Sequence, residues 1–574
     1  MEILIVCVLA VLAIAAASQA STRMRVASPL ILMVLGIVAS LVPFIPDLPP
    51  IEPEVILAGV LPPLLYSAAV SMPTMDFRRD FRAIGGLSVI LVLLSTAVIG
   101  ALFFWLIPGL DLPVAFALGA IISPTDAVAT AIVKRLGVSP RIVSVLEGES
   151  LLNDASALVL LRTAIAATAA AVSFWSVLGE FLYSVAIAVA IGVVVGWVNL
   201  RVRAKITDVA VATALSFTIP FIASVPAEFL GASGLVAAVT AGLVTGRGAA
   251  RWLSPSHRLS DERNWRTIEL LLEGAVFLIM GLELSAILGD LTGSGTVPQA
   301  LVLALLAIVA TLAVRAVFVG SLLRGLKRTA ERSAERKKDV ETLQARVDQL
   351  TGTEETSDAE ASGRERQILR WNADQAKRFR TRAARFLADV DYMQSQPLGF
   401  REGTIVVWAG MRGVVTLAAA QTLPTGTPHR SFLILIAFFV ATASLVIQGG
   451  TLAPLARWLG LTGVQADIKE RNRLSQELGE TARAALEKSG IDRRALFARN
   501  ADADASAGEN VPDPSPDQEK FLAFRLTMIE AQRTRLLELQ KTGTYSSGAL
   551  TWALKSLDAD QLSIELRAPG ANSE

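Results

Sequence analysis

The sequence predicts an all-α membrane protein of about thirteen transmembrane helices. Inverted repeats, two discontinuous crossing helices, and a cytoplasmic helical insertion and tail complete the expected fold. Three observations carry this reading. Apolar runs of span length recur between residues 3 and 457. Lys and Arg collect in alternate loops between them. The few ionisable residues inside the runs sit beside helix breakers. Mean hydropathy is +0.51, and 52% of the 574 residues are hydrophobic, so membrane-embedded and water-facing parts share one chain.

Runs long enough to cross a hydrocarbon core lie near 3–20, 27–45, 54–71, 84–107, 113–133, 144–171 and 175–200. The rest lie near 207–225, 230–246, 267–288, 297–323, 404–423 and 430–457. Basic residues mark every second loop: Arg23 and Arg25; Arg78, Arg79 and Arg82; Lys134, Arg135 and Arg141; Arg201, Arg203 and Lys205; then Arg247 through Arg266. The loops at 46–54 and 289–293 carry neither Lys nor Arg. By the positive-inside rule the N-terminus is outside and the C-terminus cytoplasmic, in the plasma (inner) membrane. The first run has acidic Glu2 before it and its positive charges after it, the polarity of an uncleaved first span.

The expected domains are spans one to eleven (1–323), a charged cytoplasmic insertion (324–403), spans twelve and thirteen (404–460) and a cytoplasmic tail (461–574). The insertion reads as a solvated helical hairpin turning at Thr351–Ser362, in preference to a surface for anionic lipid. The tail reads as helices near 465–498 and 517–540 joined by a linker at 502–518 rich in Asp, Ala, Pro and Ser. The single cysteine, Cys7, excludes a disulfide framework and is expected to be a small buried hydrophobe. The two histidines, His257 and His429, fall in loops on opposite sides. No phosphate loop and no Cys/His metal spacing is present, so the reading includes no cofactor, no enzymatic chemistry and no nucleic-acid partner.

The chemistry lies inside the apolar runs. An Asp at mid-membrane costs about 2.5 to 3.5 kcal/mol on insertion scales, so it persists only where contacts or function offset it. Asp126 follows Ser-Pro-Thr in the fifth run, where Pro124 frees backbone carbonyls beside Thr125. The twelfth run has a matching defect at Ala-Gly-Met-Arg-Gly (409–413), with two glycines bracketing Arg412. With the seventh run set aside, each half carries its broken helix in fifth place, the pattern of a transporter built from inverted repeats. In the sixth run Ser150 and Asp154 are four apart on one helical face, with Asn153 beside them. Asp154, Asp126, Ser150 and Thr125 together offer the oxygen ligands a monovalent cation needs. A carboxylate disfavoured by burial and favoured by a cation accepts either a proton or a metal ion. Arg412 is expected to pair with Glu149 and to orient Asn153. Arg162 reads as snorkelling or pairing within the bundle. Glu269 and Glu273, four apart in the tenth run, fit a cation funnel and a helix-end cap equally; Glu283 reads as structural.

Ser-Pro-Thr-Asp-Ala-Val-Ala (123–129), Glu-Gly-Glu-Ser-Leu-Leu-Asn-Asp (147–154) and Trp-Ala-Gly-Met-Arg-Gly-Val-Val (408–415) resemble signatures of the monovalent cation:proton antiporter-1 family. That family holds NhaP-type bacterial sodium/proton antiporters and the animal sodium/proton exchangers. The resemblance covers the thirteen runs and matches the insertion and tail only loosely. It implies a homodimer in the lipid bilayer, with a dimer domain and a mobile core domain in elevator-like alternation. It implies exchange of Na+ (alternatively K+ or Li+) for H+ without a cofactor. By motif, Asp154 is the exchanging carboxylate, with Asp126, Thr125 and Ser150 as co-ligands. Asn153–Asp154 is similar to the pair associated with electroneutral exchange, and Glu149–Arg412 to the stabilising ion pair. Two positions depart: Ser67 stands where many relatives have Glu, and Glu273 where many have Asn. Glu273 is the candidate to compensate for Ser67.

Two other classes compete. An intramembrane aspartyl protease also uses two membrane carboxylates, but its Gly-x-Gly-Asp surround is absent here. A cation channel or sensor with a regulatory tail is the second; it would carry current where an antiporter collapses a pH gradient.

Overall fold

The computed structural model describes residues 2–24, 26–41, 52–169, 174–289, 296–352, 373–463, 468–489 and 516–565, and all regular structure among them is helical. The chain divides into two compact units. The first comprises Met1–Leu253, Leu259–Lys327 and Leu398–Val464; the second comprises Ser254–Arg258, Arg328–Pro397 and Gln465–Glu574.

In the first unit, α1 (Glu2–Met24) and α2 (Ser28–Ser40) precede α3 (Leu61–Ser71), which continues from a π turn at Val55–Val60. The short α4 (Thr74–Arg79) and α5 (Phe81–Gly85) lead through a second π turn, Gly86–Ile90, into α6 (Leu91–Leu106). Next come α7 (Leu112–Ile122), α8 (Val128–Arg135), α9 (Pro140–Ala169), α10 (Phe174–Arg203), α11 (Val209–Phe229) and α12 (Gly234–Trp252). Then follow α13 (Pro255–Leu282), α14 (Leu284–Gly289) and α15 (Val297–Gly352). After α16 (Ala373–Ser395), of the second unit, come α17 (Phe400–Trp408), α18 (Val414–Gln421), α19 (Arg430–Ser444), a π turn at Leu445–Gly449 and α20 (Gly450–Trp458).

Among the described residues, eight helical stretches are long and apolar enough to cross a membrane, and Ser28–Ser40, Val55–Ser71 and Leu112–Ile122 are shorter apolar helices. The fifth and twelfth predicted runs do not appear as continuous helices because each is interrupted, as α7/α8 and α17/α18. Apolar side chains cover the outward faces of several helices, including Leu9, Leu12, Val194, Trp197, Val309 and Val317. Such a surface suits lipid rather than water. Cys7 lies on that outward face of α1 and is exposed, not buried as expected. The apolar run that surrounds it satisfies the bilayer, not a protein core.

Helices approach closely where glycine removes the side chain, as is common when lipid supplies no hydrophobic drive for association. A Cβ on Gly36 would stand 2.4 Å from the Leu278 carbonyl oxygen, and one on Gly281 would stand 2.3 Å from that of Met33, so α2 and α13 cross backbone to backbone. A Cβ on Gly119 would collide with the Thr96 carbonyl, so glycine closes α7 on α6. A Cβ on Gly242 or Gly246 would likewise collide with the Tyr66 or Val70 carbonyl, so α12 lies close against α3. Charges at helix ends are paired: Arg141 Nη2 to Asp80 at 2.8 Å, Arg203 to Asp261 at 2.7 Å, and the exposed Arg162 to Glu228 at 3.0 Å.

The second unit holds α16, the end of α15, α21 (Ile468–Ser489), α22 (Pro516–Thr542) and α23 (Ser547–Glu565). Lys337 and Arg380 pair with Asp391 (2.5 Å) and Asp348 (2.6 Å) between α15 and α16. The turn expected at Thr351–Ser362 lies outside the described residues from 353 onward, and the expected linker lies outside them up to 515. Helix α23 was not anticipated. It packs Leu550, Ala553 and Leu557 inward, and Asp558 accepts from both Arg258 and Arg533, at 2.5 and 2.9 Å. Glu477 on α21 accepts from Arg535 (2.7 Å) and from the Tyr545 hydroxyl (2.8 Å). Burial, with that bond to Glu477, pushes the Tyr545 phenol up to about 12. The proton, and with it the bond, is kept across the physiological range and lost only as pH climbs towards that value.

Substituting Gly281 with Val forces atoms onto the Met33 carbonyl. Overpacking of this kind costs about 1–3 kcal/mol, so the melting midpoint in detergent should fall. Gly320→Ala, with nothing within 4 Å, should leave it unchanged or raise it. Equal midpoints for the two variants would contradict the close crossing.

Candidate ion-binding site at two helix breaks

Pro124 has no N–H to offer and its ring excludes the preceding turn. Helix α7 therefore stops at Ile122 and α8 starts at Val128. The intervening residues find partners across the molecule. Asp126 N–H donates to the Met411 carbonyl at 2.8 Å, and Met411 lies in the second break. In the other direction Arg412 Nε donates to the Ile122 carbonyl at 2.9 Å, and its Nη1 to the Gly410 carbonyl. Arg412 N–H donates to Ser444 Oγ at 2.8 Å, and Ser444 bonds Gln448 in the π turn at 2.7 Å. The two broken helices thus satisfy each other's freed backbone groups, as buried peptide groups require.

Asp126 sits between two helix N-termini. Its Oδ1 accepts from Val128 N–H at 3.0 Å at the start of α8. Its carboxylate also lies against the Val414 N–H that opens α18. A Cβ on Gly413 would fall 1.3 Å from Asp126 Oδ2, so only glycine fits there. Helix N-termini carry partial positive charge and unpaired N–H groups, which favour an anion.

A chain of buried polar groups runs from the first break to α15 and α17. Asn153 Nδ2 donates to Thr125 Oγ1 at 2.5 Å and to the Thr125 carbonyl at 3.3 Å. Thr125 Oγ1 donates to Glu149 Oε1 at 3.2 Å. Arg315 of α15 grips Glu149 with both terminal nitrogens, Nη2–Oε2 being 2.7 Å, and both side chains are only 2% exposed. Its Nε donates to the Val406 carbonyl at 2.9 Å. Gly410 makes room, since a Cβ there would stand 2.6 Å from Arg315 Nε. Ser88 Oγ, in the second π turn, donates to the Glu149 carbonyl at 3.2 Å.

This corrects the expected Glu149–Arg412 pair. Glu149 pairs with Arg315, whereas Arg412 satisfies carbonyls freed by the two breaks. A planar guanidinium from α15 meets the carboxylate fork to fork. The sequence did hold a signal that went unread. Arg315 is the one ionisable residue of the run 297–323, and a lone Arg in a span needs a partner. The contact of Gly413 with Asp126 and the Ser444–Gln448 pair were also missed; nothing in their local sequence points to the neighbours they meet.

Asp154 is 6% exposed, and its Oδ1 is buried without a hydrogen-bond partner among the described residues; Asp126 is the charged group that faces it. Asn153 Oδ1 is likewise buried and unpartnered. Ser150, one turn before Asp154, donates to the Glu147 carbonyl at 3.1 Å, which leaves its oxygen lone pairs free to accept or ligate. Glu269 accepts a hydrogen bond from Ser67, joining α13 to α3. Glu273 lies one turn further on, within Coulombic reach of Asp126, Glu269 and Arg135. Glu283 accepts from Gln421 at 2.8 Å. No group of three His, Cys, Asp or Glu among the described residues is placed to hold a multivalent metal. With every group ionised, Glu149 and Arg315 cancel, and Asp126, Asp154 and Arg412 leave one negative charge. One proton or one monovalent cation neutralises it.

A transmembrane fold with two joined helix breaks and an unpaired buried carboxylate defines an ion-transport protein. The family model described as sodium/hydrogen exchanger, transmembrane, matches residues 8–338, more than half of the chain, and the chain belongs to this antiporter family. An uncharacterised Na+/H+ exchanger of Escherichia coli, YjcE, is 38% identical over 41% of this chain and 45% of its own length. The Na+/H+ antiporter NhaG of Bacillus atrophaeus is 26% identical over 79% of this chain and 74% of its own. The sodium proton antiporter MjNhaP1 of Methanocaldococcus jannaschii shares the fold at a TM-score of 0.55 and 16% identity, over 80% of this chain and 99% of that one.

Removing one partner of a buried ion pair costs about 3–5 kcal/mol. Arg315→Met and Glu149→Leu should each lower the melting midpoint in detergent strongly. The double variant should regain most of the loss, because no unpaired charge remains. Additive losses would argue against the pair.

Proposed function

We propose that this protein is a secondary-active antiporter that exchanges one monovalent cation, Na+ in first place, for H+ across the plasma membrane. The observation that carries this reading is the buried, unpartnered Oδ1 of Asp154 beside Asp126. A carboxylate so placed is stable when it holds a proton or a cation and costly when it holds neither. Loading by either ion, but not by both, is the condition for obligatory exchange.

In this proposal Asp154 carries the exchanged ion. Asp126 is a ligand held by two helix N-termini, Thr125 and Ser150 supply oxygen ligands, and Asn153 positions Thr125. Exchange of one positive charge for another is electroneutral, in keeping with the single uncompensated charge of the cluster. The proposal includes thirteen spans with inverted repeats, an N-terminus outside, a cytoplasmic C-terminus, a homodimer and elevator-like alternation. The domain limits read from the sequence belong to it as well. Exchange of K+ for H+ on the same site is the second reading. It is favoured by the hydroxyl of Ser67 in place of a carboxylate and by a relative in Bacillus pumilus named a sodium, potassium, lithium and rubidium/H+ antiporter, 32% identical over 41% of this chain.

In proteoliposomes holding a pH gradient, added Na+ should collapse the gradient without a membrane potential, and Asp154→Asn should abolish this while remaining folded. Full exchange by that variant would sink the site assignment. Gly413→Ala, which drives a methyl onto the Asp126 carboxylate, should lower the rate at least tenfold, whereas Gly59→Ala, with open space around it, should not. Running K+ and Li+ in parallel separates the two cation readings.

A further inference from the structure

A cavity of about 80 Å³ lies among α1, α2, α8 and α13, lined by Glu273, Arg135, Ser28 and Ser18 with Val128 and Ile132. That is room for several waters, or for a cation with part of its hydration shell. Its polar lining is unusual in being unsatisfied. Ser28 Oγ is buried and makes no hydrogen bond with any described residue. The Glu273 carboxylate is bonded to no described residue; the charged groups facing it are Asp126, Glu269 and Arg135. Arg135, the last residue of α8, does not pair with Glu273 here but donates to Ser21 at 3.3 Å.

We propose that this cavity is a second cation site, a staging position for a hydrated monovalent cation on Glu273 and Ser28, gated by Arg135. This rests on the assignment of Asp126 and Asp154 as the exchange site. Glu273 lies within Coulombic reach of Asp126, so the same field that holds a cation on Glu273 also draws it towards the exchanging carboxylates. An empty, ionised Glu273 attracts the guanidinium of Arg135, whose long stem allows it to swing from Ser21 into the cavity. There it acts as a built-in competitor: a positive charge that occupies the site but cannot pass. An incoming cation displaces it, and the Ser21 hydroxyl, to which Arg135 donates in this structure, is its resting partner outside the cavity. Seen this way, Arg135 sets the sodium concentration at which the transporter loads.

The test uses purified full-length protein in proteoliposomes, with sodium-driven proton movement read by a pH dye. Arg135→Gln should lower the half-saturating sodium concentration about threefold or more, and Arg135→Lys should stay near wild type. Glu273→Gln should raise it, and the double variant should match Glu273→Gln alone, because the competitor then has nothing to compete for. No shift in Arg135→Gln, or an equal shift with and without Glu273, would overturn the gate. The site itself is read without transport. In the Asp154→Asn background, NaCl should raise the melting midpoint above that in choline chloride, and Glu273→Gln should remove the difference. No sodium effect there means the cavity holds water only, and the proposal fails. An Asp154→Asn variant that still exchanges would overturn the exchange-site assignment instead, so the two failures are distinguishable.

Discussion

Everything in the membrane unit depends on how two interrupted helices repair each other. A break in a helix leaves N–H and C=O groups without partners, and lipid offers none. Here the Asp126 N–H meets the Met411 carbonyl, and the Arg412 side chain meets the Ile122 carbonyl. Neither break is tolerable alone. Together they make a small volume of polar backbone inside an apolar bundle, whose buried core includes Ile121, Ile122, Leu417 and Ile434. A carboxylate can persist there.

The same volume is crowded, and glycine is what makes it possible. Gly410 lets Arg315 pass to Glu149, and Gly413 lets Asp126 face the start of α18. The result is a division of labour among three acids. Glu149 is neutralised by a fixed guanidinium. Asp126 is held by backbone dipoles. Of the three, only Asp154 keeps a buried oxygen with no partner among the described residues, while its neighbour Asn153 is tied through Thr125 to the fixed pair. Scaffold charges and working charge are kept apart by what each is bonded to.

Much of this was legible in the sequence. Asp126 and Asp154 stood out because an acid in an apolar run needs an explanation, and Pro124 and the paired glycines located the breaks. The helical character followed from run lengths and composition. What escaped was long-range. Arg315 and Glu149 are 166 residues apart, and the sequence offered Arg412 as an equally reasonable partner. Choosing between them requires knowing which guanidinium the freed carbonyls capture. The role of Gly413 is invisible until Asp126 lies against it. In the tail, α23 was overlooked although Leu550, Ala553 and Leu557 already recur at helical spacing.

The Glu149–Arg315 pair also sets an order on synthesis. A ribosome adds about 5–20 residues per second, so the 166 residues between the two take roughly 8 to 33 seconds. Throughout that interval α9 has its carboxyl but not its counter-ion, and Val406 and the second break are later still. Until α15 is delivered, Glu149 lacks the guanidinium that pairs with it in the finished fold. A chain halted before residue 315 has no way to finish its centre, because the pair that fixes α9 to α15 cannot form.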